Sequence, residues 1–458
     1  MNDFFSRWRC LWALGLIGLV PGRVAAQEGL RLATFSVDAT PPIGTPLAYD
    51  EMLWVDQPLS CRGVVLLGSG LPIVLASVDW IGIANGGQDA FKKAFAEAAA
   101  TLPSRVSVHT VHQHDAPLYD PTANQILTPY GLSDVIVDSV FVRRTIAGAA
   151  SAIQAAMAQA RSVTHVGFAK AEVERVASNR RILGPDGKVA QTRYTACRDP
   201  KLRAMPVGVV DPFVRLTSFW NGNEALAVLS FFATHPQSYY RTGGANPDFP
   251  GIARELRETE TGGVFQVHFN GAGGNVGAGK WNDGNKENRL LLAIRLARGM
   301  KKAFEETEKV SISVDDVDWV GEAIDLPVAG HLDEAALVAQ LSEESASVLD
   351  RKAAARNLAW LRRNRNDGVS STVNGLNLGP VQMLFCPGEM VVEYQLEAQR
   401  MRPGRFVCLA AYGDYGPGYI CLTRHYDEGG YEASPRASRV APSVEGVLMA
   451  TLRRVLNQ

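Results

Sequence analysis

Apolar positions along the chain fall into two alternating rhythms. LRLATFSV (30–37), CRGVVLLG (61–68), PIVLASVDW (72–80) and SRVSVHTVH (104–112) are short, β-branched, apolar runs bounded by turn residues, the signature of strands. Between them, the Ala-rich stretch from Gly87 to Thr101 carries helical spacing, and so does the stretch around Asp134 to Ala160. Strands are predicted again around Val214–Thr234 and Gly263–Phe269, then VQMLFCPGE (381–389) runs into the helical MVVEYQLEAQRM (390–401). Residues 332–366 predict a charged helical pair, either a solvated hairpin or a lid. This order implies an α/β fold of mixed sheets with packed helices. No solenoid repeat, low-complexity tract or long Pro/Gly/Ser linker interrupts it.

The amino-terminal segment follows a different rule. Arg7 and Arg9 precede the apolar run Leu11 to Val20, and Val24-Ala25-Ala26 precede Gln27, the three-part layout of a secretory signal. That run is about half of the roughly 20 residues a membrane-spanning helix needs. The expected organisation is therefore a signal peptide at 1–26 and one domain at 27–458, in a secreted or periplasmic protein with no integral membrane segment after signal removal.

Composition narrows the partners. Lys+Arg 46 against Asp+Glu 47 gives a net charge of −1 with no long like-charge block, which favours neither nucleic acid nor an anionic membrane and points to a small-molecule partner. The cysteines after the signal (Cys61, Cys197, Cys386, Cys408, Cys421) are odd in number and include no CxxC pair, so a cysteine metal site is excluded and at least one thiol stays unpaired. One or two disulfides are compatible with export.

Candidate chemistry gathers where predicted strands end. In VSVHTVHQHDAP, alternation places His112 and His114 on one strand face, and neutral imidazole is a common zinc ligand. The strand ALAVLSFFATHPQS delivers His235 at its end, and VQMLFCPGE delivers Glu389 after a Pro-Gly turn. Two histidines and a carboxylate make a catalytic zinc set with a position open for water.

These segments resemble, in order, those of the neutral/alkaline non-lysosomal ceramidases. HQHDAP resembles that family's HTHSGP, THPQS its HPTS, and PGE its late glutamate segment, while GYICLTRHYDEGGY resembles its tyrosine segment. VDATPPIG, ASVDW, SNRRI and NPDFPG fall in family order as well, and nothing corresponds to the family's C-terminal immunoglobulin-like domain. The resemblance implies that His112, His235, Glu389 and Tyr419 bind Zn2+, and that His114, Arg180 and Tyr431 line the reacting carbonyl. Asp79 and Asp248 match family acidic positions but read as structural or supporting groups.

The pattern breaks at one place. In FNGAGGNVGAGKWNDG the family's loop G-D-V-S-P is matched by Gly274 to Ala278, so Gly277 stands where the family's nucleophilic serine would be. The expected function is therefore a zinc-dependent hydrolase of a ceramide-like N-acyl amide, or of an ester, that attacks with metal-bound water. Two other readings stand beside it. One is a non-catalytic zinc-containing relative that binds a lipid-like ligand. The other is a nucleotide binder, because Gly274-x4-Gly279-Lys280 is a Walker A pattern except that Trp281 replaces Ser or Thr.

Overall fold

In this computed structural model, residues 29–366 and 371–457 are described; the predicted signal segment lies outside them. Three mixed sheets carry the fold. The first runs in the order Val106–Thr110, Gly70–Val78, Ser60–Gly68, Arg31–Asp38, Arg161–Ser162. The second runs Phe265–Asn270, Glu224–Phe232, Phe213–Asn221, His165–Glu172, Glu308–Ser311, and the third Val317–Ile324, Ser371–Leu378, Val381–Phe385, Phe406–Ala410.

Each sheet is antiparallel except for one pair at its edge. Gly70–Val78 runs parallel to Val106–Thr110, Glu224–Phe232 to Phe265–Asn270, and Val381–Phe385 to Phe406–Ala410. Strands buried on both faces read as continuous apolar runs, and Val381–Phe385 and Val106–Thr110 are buried at every position. The inner faces share one core in which Phe231, Phe269, Phe385 and Val64 meet. At the far ends the sheets are tied by backbone bonds, Ala411 N–H to Asn270 C=O at 2.9 Å and Thr110 N–H to Tyr412 C=O at 3.0 Å.

Helices cover the outer faces. Gly86–Ala99 buries Phe91, Phe95 and Ala99 against the first sheet, and Ser139–Met157 beside it begins at Asp138, whose carboxylate accepts the Val140 and Phe141 N–H groups. Asp248–Glu260 and Glu287–Glu305 cover the second sheet. The third is covered by Val392–Met401 and Val444–Asn457.

The charged pair at 332–366 forms as the helices Glu334–Ser342 and Val348–Asn366, but it is neither a solvated hairpin nor a lid. Ala354, Ala355, Leu358, Ala359, Trp360 and Leu361 are buried, because small and apolar residues at helical spacing give the second helix an inward face. Trp360 donates to Arg439 C=O at 3.2 Å and lies against Gly416, where an added Cβ would come within 2.7 Å of the indole. The pair is a buttress behind the tyrosine-rich loop 412–419. The five cysteines of the described residues are buried and unpaired, and no helix among those residues is long and apolar enough to cross a membrane.

Candidate metal centre

The carboxyl ends of the parallel strand pairs converge, which is where α/β sheets place their sites. Val106–Thr110 leads to His112 and His114, Glu224–Phe232 to His235, and Phe265–Asn270 to the glycine loop at 271–279. From the third sheet, Val381–Phe385 leads to Glu389 and Phe406–Ala410 to Tyr412, Tyr415 and Tyr419.

Simple alternation does not deliver the histidines. The regular strand stops at Thr110, and His112 adopts φ 71°, so the chain turns sharply before the second imidazole. A β-region backbone would have carried His112 on along the sheet; left-handed geometry, held by its N–H bond to Trp80 C=O at 3.0 Å, turns it toward His235 instead. His235 likewise lies beyond its strand, which ends at Phe232.

Four donor atoms meet in one place. His112 Nε2 is 3.2 Å from His235 Nε2, both lie 3.2 Å from Glu389 Oε2, and the Tyr419 hydroxyl is 3.0 Å from His235 Nε2. The proton positions make this a demanding arrangement. His112 Nδ1 lies 2.6 Å from Ile81 C=O and His235 Nδ1 2.8 Å from Gly273 C=O; a carbonyl can only accept, so each Nδ1 carries the proton. Burial first, then the charge of Arg180, draws His235 down to about 4, so its ring is neutral near pH 7. His235 Nε2 therefore presents a lone pair to His112 Nε2 and to a carboxylate oxygen, with the three atoms crowded at 3.2 Å. A cation resolves that conflict. Around a tetrahedral zinc with ligands at about 2.0–2.1 Å, donor atoms stand about 3.3 Å apart, and the 3.0–3.2 Å spacings found here match. The residues thus fit a zinc-type ion.

His114 completes a buried trio with His112 and His235, with ligand atoms all within 4.8 Å of one another. Neither of its ring nitrogens has a hydrogen-bond partner. It stacks on Tyr49 at 5.2 Å and meets Tyr240 edge-on at 5.3 Å, so it faces the site without being pinned to the scaffold. Burial, then the neighbouring imidazoles, hold it well below its ordinary value.

Arg180 is buried, not on the surface. Its Nη2 donates to Tyr419 Oη at 3.2 Å and to Gly274 C=O at 2.5 Å, and it pairs with buried Glu432 at 3.1 Å. Burial opposes its charge, but Tyr419 and Glu432 outweigh that and raise it above its ordinary value. Burial pushes the Tyr419 phenol well up while Arg180 pulls it down, so the guanidinium is placed to stabilise a tyrosinate. Tyr431 packs edge-on to Tyr419 at 5.6 Å and is half-buried. The structure brings together all seven residues singled out from the sequence.

Gly277 pairs with Ser178 across a short antiparallel ladder. A Cβ there would lie 3.2 Å from Thr195 Cβ and 3.5 Å from Arg180 Cδ, so the position adjoins the arginine that touches Tyr419. The loop is not built for a nucleotide. Lys280 Nζ donates to the carbonyls of Arg203, Ala204 and Met205, and the next long helix starts only at Glu287. Ser238 is buried and accepts from Arg289 Nε at 2.9 Å. Asp79 makes a bidentate pair with Arg254 at 2.7 and 2.9 Å, and Asp248 accepts the Ser238 N–H at 3.0 Å; both are structural.

Sequence reasoning missed Tyr49, Tyr240, Tyr412, Tyr415 and Glu432. Tyr412 stacks on His112 at 4.4 Å, and Tyr415 lies in hydrogen-bonding range of Glu389. A signal was present: three tyrosines in the glycine-rich YGDYGPGY (412–419), where Tyr412 adopts φ 60°.

No protein-family model matches the chain, and no curated protein matches it in sequence. Solved structures do match. The neutral ceramidase from Pseudomonas aeruginosa superposes with a TM-score of 0.68 at 16% identity, covering 93% of this chain and 74% of its own. A ceramidase complexed with C2 gives 0.67 at 15% identity over the same shares. The chain has the neutral ceramidase fold.

Proposed function

We propose that this protein is an exported zinc-dependent hydrolase of an N-acyl amide, or of an ester, in which water attacks the carbonyl directly. The observation that carries the reading is the meeting of His112 Nε2, His235 Nε2 and Glu389 Oε2 at 3.2 Å from one another, the spacing of ligands around one ion. His112, His235, Glu389 and Tyr419 would hold the ion, and His114, Arg180 and Tyr431 would serve the carbonyl. The ion, when bound, polarises a carbonyl and lowers the pKa of water to about 7. His114, with two unpartnered nitrogens, is positioned to move a proton. Arg180, which opposes the effect of burial on Tyr419, would help the hydroxyl lose its proton to the ion. Hydrolytic chemistry and a lipid-like acyl substrate are supported by the shared ceramidase fold.

The test is turnover of a series of N-acyl amides by zinc-loaded protein, with and without a chelator. Chelator-sensitive hydrolysis is expected; ligand binding with no turnover of any amide or ester would instead establish a binding protein. Export rests on the amino-terminal pattern, and sequencing of material secreted by the producing cell is expected to begin at Gln27.

A further inference from the structure

The helix Val348–Asn366 carries six cations, of which three pair with carboxylates and a fourth, Arg351, is held by a carbonyl. Arg362 lies 2.9 Å from Glu334, Arg363 2.6 Å from Asp89 and Arg365 3.5 Å from Glu334. Arg351 donates to Leu341 C=O at 3.0 Å. Lys352 and Arg356, four residues apart and so on one helix face, break that pattern: among the described residues neither has a carboxylate within 4 Å or a hydrogen bond to a neighbour. Arg356 Nε is buried without a partner. Behind them Arg439, only 8% exposed, also lacks a carboxylate; it donates to Asn357 and to Gly416 C=O.

This corner adjoins the metal centre. The Arg356 guanidinium lies 5.3 Å from the Tyr415 ring, whose other neighbour, at 5.5 Å, is His112. Tyr49, 43% exposed and stacked on His114, lies within the field of Arg356 as well as of Glu389 and Tyr431. The unneutralised cations thus lie one tyrosine ring, Tyr415, away from the histidines, beside the solvent-exposed Tyr49. Asp120 is the other carboxylate in this field, and it is occupied in capping the helix Pro121–Leu127 and in accepting from Asn85. Clustering like charges is unfavourable, and burial followed by Arg356 lowers both Lys352 and Arg439, the latter to about 10. An incoming anion would relieve that repulsion.

Resting on the hydrolase reading above, we propose that Arg356, backed by Lys352 and Arg439, binds an oxyanion carried by the substrate, so that the amide cleaved is anionic, as in an acylated amino acid. A guanidinium presents a planar fork that matches the two oxygens of a carboxylate, and it fits a phosphate as well. Ceramide-type amides, with neutral hydroxylated amine halves, leave these cations uncompensated. Arg356 is thus a specificity-determining residue.

The experiment compares N-octanoylglycine, N-octanoylethanolamine and N-octanoyl-O-phosphoethanolamine as substrates of the zinc-loaded protein. A charge-assisted pair is worth about 1.5–3 kcal/mol, so one of the anionic amides is expected to exceed the neutral one by about 10- to 100-fold in kcat/KM. Whichever anion wins identifies the oxyanion. In Arg356→Ala the preference is expected to fall to within about threefold of unity, with the loss carried in KM, and Arg356→Lys to retain part of it. Equal handling of neutral and anionic amides by the parent, or a variant that weakens all three alike, would overturn the proposal. If Arg356→Ala melts early, Lys352→Ala on the outer turn decides: a reduced preference supports the anion site and an unchanged one refutes it. Should no amide be turned over, calorimetric titration with the same three compounds applies the same criterion to binding and separates loss of this site from failure of the hydrolase reading.

Discussion

Two groups of buried histidines can be set side by side. His109 and His268 sit in the core between the sheets; His112, His114 and His235 sit where the strands end. Members of both groups have a depressed affinity for protons, with burial as the leading cause: His109 is at about 4, His268 at about 3 and His235 at about 4, and His114 is held well below its ordinary value. Burial and a displaced pKa therefore do not distinguish them. What differs is where the lone pairs point. His109 uses both nitrogens, at 2.6 Å from Ala411 C=O and 2.9 Å from the Ser107 hydroxyl, and His268 Nδ1 lies 2.9 Å from the Ser230 hydroxyl. His109 thus has an accepting carbonyl on one nitrogen and a hydroxyl on the other, while His268 leaves Nε2 without a partner but points it at no other ligand-type atom pair among the described residues. His112 and His235 aim their Nε2 atoms at each other and at Glu389, so that the neutral His235 ring meets a carboxylate oxygen that only accepts. A site is marked by converging acceptors rather than by buried titratable groups.

The sharpest break of this comparison is metal content. His235→Ala is expected to lose stoichiometric zinc and at least about a thousandfold in turnover, whereas His268→Gln keeps both. Elemental analysis of the purified variants checks it, and zinc retained in a His112→Ala/His235→Ala double variant would remove the site assignment. Next in size is Arg180. Removing a preorganised donor at a reacting centre costs about 10²–10³ in kcat. Arg180→Ala is expected to fall in that range and also to bind zinc about 10- to 100-fold more weakly, since it supports Tyr419. Parent rates and parent affinity together would return it to a structural role with Glu432.

Much of this was legible in the sequence because apolar runs and ligand-type residues were adjacent in it. Predicted strand ends followed by His or Glu pointed to the site, and the apolar run VQMLF predicted a strand. What the sequence hid was non-local or conformational. The positive φ of His112 and Tyr412 has no signature in residues that are neither Gly nor Asn. The buttress at 348–366 reads as solvated because its charges outnumber its apolar face. Glu432 neutralising Arg180 joins residues 252 positions apart in the sequence, and no spacing rule connects them.

Acid titration sharpens the same contrast more gently. A histidine whose folded pKa is lowered stabilises the fold above the unfolded value of 6.5 and loses that contribution as pH falls toward the folded value. For His268 the loss runs from about 6.5 down to about 3. Asp115 and Asp120, raised to about 6 mainly by burial, act oppositely and favour the fold as pH falls from about 6 toward 3.8. Denaturant melts of His268→Gln should therefore show a shallower acid decline than the parent by up to one proton, about 1.4 kcal/mol per pH unit. Identical slopes would mean that His268 takes up its proton normally.

The smallest effect concerns the position beside Arg180. Gly277 has no positive φ, and a Cβ there meets Thr195 at 3.2 Å, a contact that a few tenths of an ångström relieve. Gly277→Ser is accordingly expected to fold, at a cost of about 1 kcal/mol or less, read as a drop of a few degrees in Tm. Its kinetic consequence separates two chemistries. If water attacks the carbonyl directly in the parent, rapid-quench kinetics with an activated acyl substrate give a linear time course and an unmodified enzyme mass; a serine nucleophile gives a burst of first product and an acyl adduct. Ser238 is the competing hydroxyl, and it is taken up in a buried structural network, accepting from Arg289 Nε at 2.9 Å and bonding to the Asp248 carboxylate. The parent should therefore show no burst. An acyl adduct on Ser238, forming as fast as turnover, would overturn direct water attack, while a burst confined to Gly277→Ser would show that the glycine alone had kept the parent on the water route.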